Sequence, residues 1–181
     1  MSFLPFPVLE TKRLRLRRTL ASDAEAIFFL RTSPSVNALV KRPAPESLED
    51  ALEFIRLRRE DTETGKSIYW SISLKDEPEM IGSITLWNFS EDRLTGEVGY
   101  DLHPDHQRKG IMQESLEAVI RYGFDTLKLE KIEAYTQVDN LPSQRLLRRN
   151  GFVLQVERRD DGNPKNRILV LHKDPDSQLD Q

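Results

Sequence analysis

The residues whose types and spacing best suit chemistry lie in one short stretch between a strand pattern and a helix pattern. The sequence QRKGIM at residues 107–112 follows an alternating run from Gly96 to Leu102 and leads into a helical pattern from Gln113 to Leu127. A glycine-bearing turn at the start of a helix leaves several backbone N–H groups unpaired and pointing one way. Together with the helix dipole, these donors attract phosphate. The stretch therefore predicts an anion-binding loop.

Composition limits the classes of protein and of site. The 181 residues suit a single domain, and a net charge of −3 gives no reason to expect nucleic-acid binding. The chain has no cysteine, which excludes disulfides and thiolate metal sites and fits a reducing cytoplasm; with only three histidines, no metal site is expected. No apolar run approaches the roughly 20 residues that span a bilayer. We expect a cytoplasmic protein without a membrane partner.

Strand and helix signals alternate in the first third of the chain. Leucines and arginines alternate over residues 13–17 and predict a strand, with the arginines keeping an exposed edge soluble. Ser22 to Glu25 has the form of a capping box and predicts a helix to about Leu30. Residues 33–45 contain three prolines and predict a loop, and a second helix should run from near Ser47 to about Glu63. Its apolar positions are expected on one side: Leu48, Ala51, Leu52, Ile55 and Leu57.

Strands dominate the rest of the pattern, broken by two helices. Short connections predict an antiparallel three-strand meander, followed by a helix, a strand, another helix and a final hairpin. The predicted strands are 67–74, 80–87, 96–102, 132–138, 152–159 and 167–171, and the predicted last helix is 141–149. Asn150 and Gly151 should end that helix, because glycine suits the left-handed residue that commonly follows one.

The order of these elements resembles the GCN5-related N-acetyltransferase (GNAT) superfamily, from about Glu10 to Lys173. The resemblance implies an α/β fold with a mixed, mostly antiparallel central sheet flanked by helices. The sheet should splay between its fourth and fifth strands, and acetyl-CoA should enter there. We expect one N-acetyltransferase domain over residues 1–181.

Local motifs strengthen the resemblance. Gln107-x-x-Gly110-x-Met112 fits the family's acyl-CoA loop, Arg/Gln-x-x-Gly-x-Gly/Ala, at all but its last position. Residues 9–17, and the segments NLPS from residue 140 and NGF from residue 150, resemble the branch that acetylates the N-termini of ribosomal proteins. The methionine side chain at the last loop position could point away, because the ligand needs only its N–H.

The resemblance implies acetyl-CoA as co-substrate and direct acetyl transfer to a primary amine. The expected cofactor-binding residues are the main chain of the strand end, the loop and one amide side chain: Tyr100, Asp101, Leu102, Gln107, Arg108, Lys109, Gly110, Ile111, Met112 and Asn140. Glu97 is the candidate base, with a solvated strand carboxylate as the alternative. Ser143 is the candidate acid for the leaving thiolate, with a cap or surface hydroxyl as the alternative. Some relatives use a tyrosine for this step, and none follows Tyr135 here.

The acceptor is predicted less sharply than the reaction. An α-amine has a pKa of about 7.7 to 8, against about 10.4 for lysine, so one carboxylate base deprotonates the former far more easily. The leading expectation is a protein N-terminus, possibly that of a ribosomal protein, acted on by a monomer or homodimer. A polyamine or aminoglycoside, a non-catalytic acyl-CoA-binding role and RNA association through Arg145, Arg148 and Arg149 remain alternatives. Acceptor choice should come from residues 33–45, the start of the second helix and residues 160–165.

Overall fold

A single sheet carries the fold in this computed structural model, which describes residues 2–174. Its strand order is β1-β2-β3-β4-β5-β6-β8-β7, and every neighbouring pair is antiparallel except β5 and β6. The predicted mixed, mostly antiparallel sheet is thus confirmed. The strands are β1 Leu9–Glu10, β2 Leu14–Arg18, β3 Ile68–Leu74, β4 Gly82–Trp87, β5 Thr95–Leu102, β6 Lys131–Gln137, β7 Val153–Leu154 and β8 Asn166–His172.

Helices cover both faces of the sheet. The helices are α1 Ala24–Thr32, α2 Pro34–Asn37, α3 Leu48–Glu63, α4 Ile111–Arg121 and α5 Leu141–Arg149. Helices α1 and α3 pack with Tyr69 in one apolar cluster, whereas α4 packs with Trp70 in the larger one. Adjacent strand residues point to opposite faces, so these two neighbours separate the layers. No helix within residues 2–174 has the length and apolar character needed to cross a membrane.

Local signals located α3 and α5 correctly. Ser47 and Asp50 form the predicted capping box at the start of α3, and α5 has its predicted bounds, followed by Gly151 at φ +85°. The predicted apolar side of α3 is only partly right. Ala51 and Ile55 are buried, but the leucines at 48, 52 and 57 are exposed, because the contact stripe continues through Thr62 at helical spacing.

The predicted capping box at Ser22 is wrong. Residues 21–23 form a 3-10 turn, and Asp23 occupies the N-cap position of α1. Its buried carboxylate accepts the Leu20 N–H at 2.8 Å and two hydrogen bonds from Arg17 at 2.7 and 2.8 Å. A buried carboxylate requires such a partner. The solubilising role expected for the β2 arginines is therefore wrong for Arg17.

Two connecting segments also differ from expectation. The predicted loop at 33–45 contains α2, and the final hairpin pairs β7 to β8 over only two residue pairs. Asp160 explains the short hairpin, because its carboxylate accepts hydrogen bonds from the Gly162 N–H at 2.9 Å and the Asn166 amide at 2.6 Å. These local bonds hold residues 160–166 as a folded turn instead of a strand extension.

A gap opens in the sheet between β5 and β6, the fourth and fifth of the predicted strands. The two strands pair in parallel from Thr95 opposite Lys131 to Glu97 opposite Glu133, and no further. Residues 98–102 of β5 continue alongside β4 alone. The splay therefore exposes the C-terminal half of one β5 edge.

Candidate active site

Two main-chain amides of β5 face the gap. Just beyond the β4–β5 ladder, the His103 N–H donates to the Ile81 carbonyl at 2.8 Å. Successive residues of an antiparallel strand direct their N–H and C=O groups to opposite neighbours. Asp101 therefore points its main chain at β4, whereas Tyr100 and Leu102 point theirs into the gap. Of the three amides expected to meet the cofactor, that of Asp101 is turned away.

The side chains of the anion-binding loop leave its main chain open. The Gln107 amide donates to the Leu102 carbonyl at 3.1 Å and so anchors the loop to the end of β5. Met112, at the position where the family pattern has glycine or alanine, is buried in the large apolar cluster. Its side chain therefore does not occupy the space above the loop, and Ile111 is buried in the same cluster.

The loop backbone has the conformation of an anion cradle. Arg108 and Gly110 both adopt left-handed conformations, at φ +61° and +74°. The first intrahelical bond of α4 joins the Glu114 N–H to the Gly110 carbonyl, so the N–H groups of residues 111–113 have no acceptor in the described chain. Such a concave row of free donors fits a diphosphate.

Arg13 links the anion-binding loop to the first turn of α4. Its Nε donates to the Glu114 carboxylate at 2.7 Å, and its Nη1 donates to the Lys109 carbonyl at 2.9 Å. The same carboxylate accepts the Arg13 N–H and the Thr11 hydroxyl. The expectation that Arg13 only solubilises an edge is therefore wrong, since it fixes both the loop and the first turn of α4.

Glu114→Ala should loosen the cradle. The change leaves three donors without their carboxylate, and we expect the free energy of unfolding to fall by about 2 kcal/mol and the Kd for acetyl-CoA to rise. Urea unfolding and calorimetric titration measure the two effects. Glu117→Ala is the matched control, because Glu117 lies one turn further along α4 and is exposed. Equal behaviour of the two variants would contradict this role of Glu114.

A cavity of about 670 Å³ joins the gap to the sheet face beneath α3. Its floor includes alternate residues of β5, namely Glu97, Gly99 and Asp101. Its walls come from the segments expected to choose the acceptor, here residues 39–42 and 160–166, together with the middle of α3 instead of its start. Ser143, Asn140 and Tyr100 line the gap side of the same cavity.

Glu97 is the titratable group of this cavity best suited to act as a base. Burial raises its pKa to about 7, the Asn88 amide at 3.1 Å opposes that rise, and the charges of Glu133 and Asp160 add to it. A carboxyl with this pKa is partly ionised at neutral pH and still accepts a proton efficiently.

Ser143 has a partner that sequence reasoning missed. Its hydroxyl lies 2.9 Å from the Tyr100 hydroxyl, whose pKa burial raises to about 12, so the phenol stays protonated at neutral pH. The sequence predicts no tyrosine acid, because no tyrosine follows Tyr135. A strand residue three places from Glu97 is expected on the opposite face of the sheet, but the gap brings Tyr100 and Glu97 to one cavity.

Asn140 has a structural role beside its proposed cofactor role. Its Oδ1 accepts the Ser143 N–H at 3.2 Å and so caps α5. The Nδ2 group, which is the donor of this amide, stays available to a ligand. The cap also fixes the position of the Ser143 side chain.

The side chain of Asp101, unlike its main chain, belongs to the cavity. It is buried, pairs with Arg42 at 2.7 Å and accepts the Ser83 hydroxyl at 2.6 Å. Arg42 also donates to the Asn37 side chain and to the Leu30 carbonyl. Arg42 was not predicted as a site residue, because a single arginine in a proline-rich loop has no periodic signal.

Known proteins are similar to this chain in sequence and in fold. The family described as acetyltransferase (GNAT) domain matches residues 13–153. The uncharacterized N-acetyltransferase YoaA of Bacillus subtilis (strain 168) is 36% identical over 147 residues, which cover 81% of this chain and 83% of YoaA. The ribosomal-protein-serine acetyltransferase of Escherichia coli (strain K12) is 27% identical over 119 residues, 60% of this chain and 66% of that protein. Among solved structures, RimL, a ribosomal L7/L12 alpha-N-protein acetyltransferase in complex with coenzyme A, superposes with a TM-score of 0.76 at 20% identity, covering 92% of this chain and 98% of RimL.

Proposed function

This chain belongs to the GNAT family of acetyl-CoA-dependent N-acetyltransferases, and from that premise we propose that its acceptor is the α-amine of a protein N-terminus. The supporting observation is the Glu97 carboxyl, with a pKa of about 7 inside the cavity. An α-ammonium, with a pKa of about 7.7 to 8, loses its proton to such a base at little cost, whereas a lysine ammonium at about 10.4 does not. The similarity to a ribosomal-protein-serine acetyltransferase agrees with this acceptor class.

The gap and loop supply the binding half of the mechanism. The free amides of residues 111–113 receive the diphosphate, and those of Tyr100 and Leu102 receive the pantetheine arm, with the Asn140 Nδ2 as a further donor. Acetyl-CoA supplies the acetyl group as a thioester, whose carbon–sulfur bond breaks as the new carbon–nitrogen bond forms. A β5 amide facing the thioester oxygen stabilises the negative charge that develops there, an effect typically worth about 3 kcal/mol.

Three side chains of the cavity transfer the protons. Glu97 takes a proton from the acceptor ammonium, directly or through water, and so frees the nitrogen lone pair for attack. Ser143 gives its proton to the departing thiolate, and Tyr100 replaces that proton through the hydrogen bond between the two hydroxyls. The acceptor nitrogen releases its second proton to solvent as the amide forms, and solvent returns a proton to Tyr100. We propose the cytoplasm as the compartment, because new protein N-termini and acetyl-CoA are present there together.

Ser143→Ala and Tyr100→Phe should each lower kcat by about 10- to 100-fold while changing the Kd for acetyl-CoA much less. Because the two hydroxyls act as one relay, the double variant should be no slower than the slower single variant. Stopped-flow or steady-state thiol release measures kcat, and calorimetry measures Kd. Tyr122→Phe is the matched control, since Tyr122 packs in the core against Trp70. Wild-type turnover by Ser143→Ala would remove this residue from the proposed mechanism.

An acceptor panel tests the proposed function directly. Thiol release from acetyl-CoA is measured with short peptides that begin with serine or alanine, with the same peptides blocked at the N-terminus, and with spermidine and an aminoglycoside. The proposal expects release only with free N-termini. Release with the small amines and none with peptides would overturn it in favour of a small-molecule acceptor.

A further inference from the structure

Three arginines from separate segments line the cavity on the side of Asp101, which is four residues along β5 from Glu97. Arg31 lies in the last turn of α1, Arg42 lies in the segment after α2, and Arg58 lies in α3; all three line the cavity. The guanidinium carbons of Arg31 and Arg58 lie 4.3 and 5.0 Å from the centroid of the Phe54 ring. Stacking on an aromatic ring orients a guanidinium without using its hydrogen-bond donors.

The positive charge of this group is only partly compensated. Arg42 pairs with Asp101 at 2.7 Å, and Arg58 pairs with Asp61 at 2.9 Å. Within residues 2–174, Arg31 has no carboxylate partner, and its guanidinium donates to the Pro43 carbonyl at 2.9 Å. Burial, together with the neighbouring Arg42 and Arg58, lowers the pKa of Arg31.

One buried donor of this arginine group also lacks a partner. The Nε atom of Arg58 is buried and has no hydrogen-bond partner in the described part of the chain. Unsatisfied buried donors are rare in proteins and costly to maintain. An anion placed beside the guanidinium groups that line the cavity would supply the negative charge that this end of the cavity lacks.

We propose that the Arg31–Arg42–Arg58 group binds an anionic substituent of the acceptor, a carboxylate or a phosphate close to the amine that is acetylated. The inference rests on the proposed function and names a substrate class within it. Asp101, which holds Arg42, lies four residues along β5 from Glu97, or about 13 Å at the usual rise. Gly99, midway between them on the cavity floor, has no side chain to block the path. An extended peptide whose amine meets Glu97 thus reaches the arginines with an acidic side chain at its second or third position.

Paired peptides test this inference. We compare kcat/KM for peptides that carry Glu, Gln or phosphoserine at position two or three and are otherwise identical. Hydrogen bonds to charged groups predict a preference of about 10-fold or more for Glu over Gln. The preference should fall towards one in Arg31→Gln, persist at least in part in Arg31→Lys, and remain unchanged in Arg59→Gln. Arg59 is the matched control, because it is exposed and is the residue next to Arg58 in α3.

The outcomes separate this inference from the proposed function. Equal rates for Glu and Gln peptides in the wild-type enzyme would overturn the anionic subsite and leave the N-terminal acceptor standing. If only small amines react, the same comparison is made with aspartate and asparagine as acceptors. A preference for aspartate that Arg31→Gln abolishes would then support the subsite although the peptide acceptor had failed. A larger preference for phosphoserine than for Glu would identify phosphate as the favoured anion.

Discussion

Glu97→Gln should lower kcat/KM at neutral pH by about 100-fold or more, because general-base catalysis typically contributes 10²- to 10⁴-fold. The amide has nearly the shape of the carboxyl but cannot accept the ammonium proton. Steady-state thiol release with a free N-terminal peptide measures the effect. Binding of acetyl-CoA should change little, because Glu97 precedes the part of β5 that faces the gap.

The pH dependence of kcat/KM tests whether Glu97 is the base. The proposed mechanism needs the ionised carboxylate, so wild-type kcat/KM should rise with pH through about 7, and Glu97→Gln should lack that rise. Glu133→Gln should move the rise to lower pH, because the charge of Glu133 helps to raise the pKa of Glu97. A wild-type profile that is flat between pH 6 and about 8 would argue against Glu97 as the base.

Urea unfolding shows whether Glu97→Gln loses activity only because the variant is less stable. The folded-state pKa of Glu97 lies above its ordinary value of 4.5, so the protonated carboxyl stabilises the fold below pH 4.5 and this contribution is lost as the pH rises through about 7. Glu97→Gln removes the titration. At alkaline pH the variant should therefore unfold at no lower urea concentration than the wild-type enzyme.

Gly110→Asp should weaken acetyl-CoA binding by about 100-fold or more, because a carboxylate among the loop amides would repel the diphosphate that we propose they receive. The fold should survive. Aspartate is one of the few residues that tolerate the left-handed conformation found here, and a side chain would meet only the flexible end of Arg13, at 3.3 Å. Calorimetric titration with acetyl-CoA measures the loss of affinity.

Gly65→Asp is the matched control for the loop variant. Gly65 also has φ +74°, but it follows α3, away from the loop, so the same backbone strain and charge are introduced elsewhere. Wild-type affinity in Gly110→Asp would show that residues 107–112 do not hold the diphosphate. A similar loss in Gly65→Asp would instead indicate a general effect of charge or stability.

Apart from the capping box at Ser22, features set by neighbouring residues were predicted well from sequence. The capping box at Ser47 and the bounds of α5 depend on side chains within three or four residues of the backbone that they cap. The turn from β5 to α4 and the family resemblance together located the loop. The helix expected to reach Leu127 ends as an α-helix at Arg121 and continues as a π-helical turn, a distinction without a clear sequence signal.

Contacts between distant residues could not be predicted in this way. Arg42 and Asp101 are 59 residues apart, Tyr100 and Ser143 are 43 apart, and Arg13 reaches Glu114 across 101 residues. Each depends on which elements the sheet order makes adjacent. The pattern of one segment does not determine that order, so the cavity's arginines and its tyrosine became evident only in three dimensions.

The ion pair between Arg13 and Glu114 bears on the order in which the enzyme folds. A contact that closes a segment of 101 residues forms late, because loop-closure entropy opposes it until intervening elements have collapsed. Helix α4 can form locally long before β2 docks beneath it. We therefore expect the proposed acetyl-CoA loop to become competent only late in folding, and bound acetyl-CoA to stabilise the completed fold.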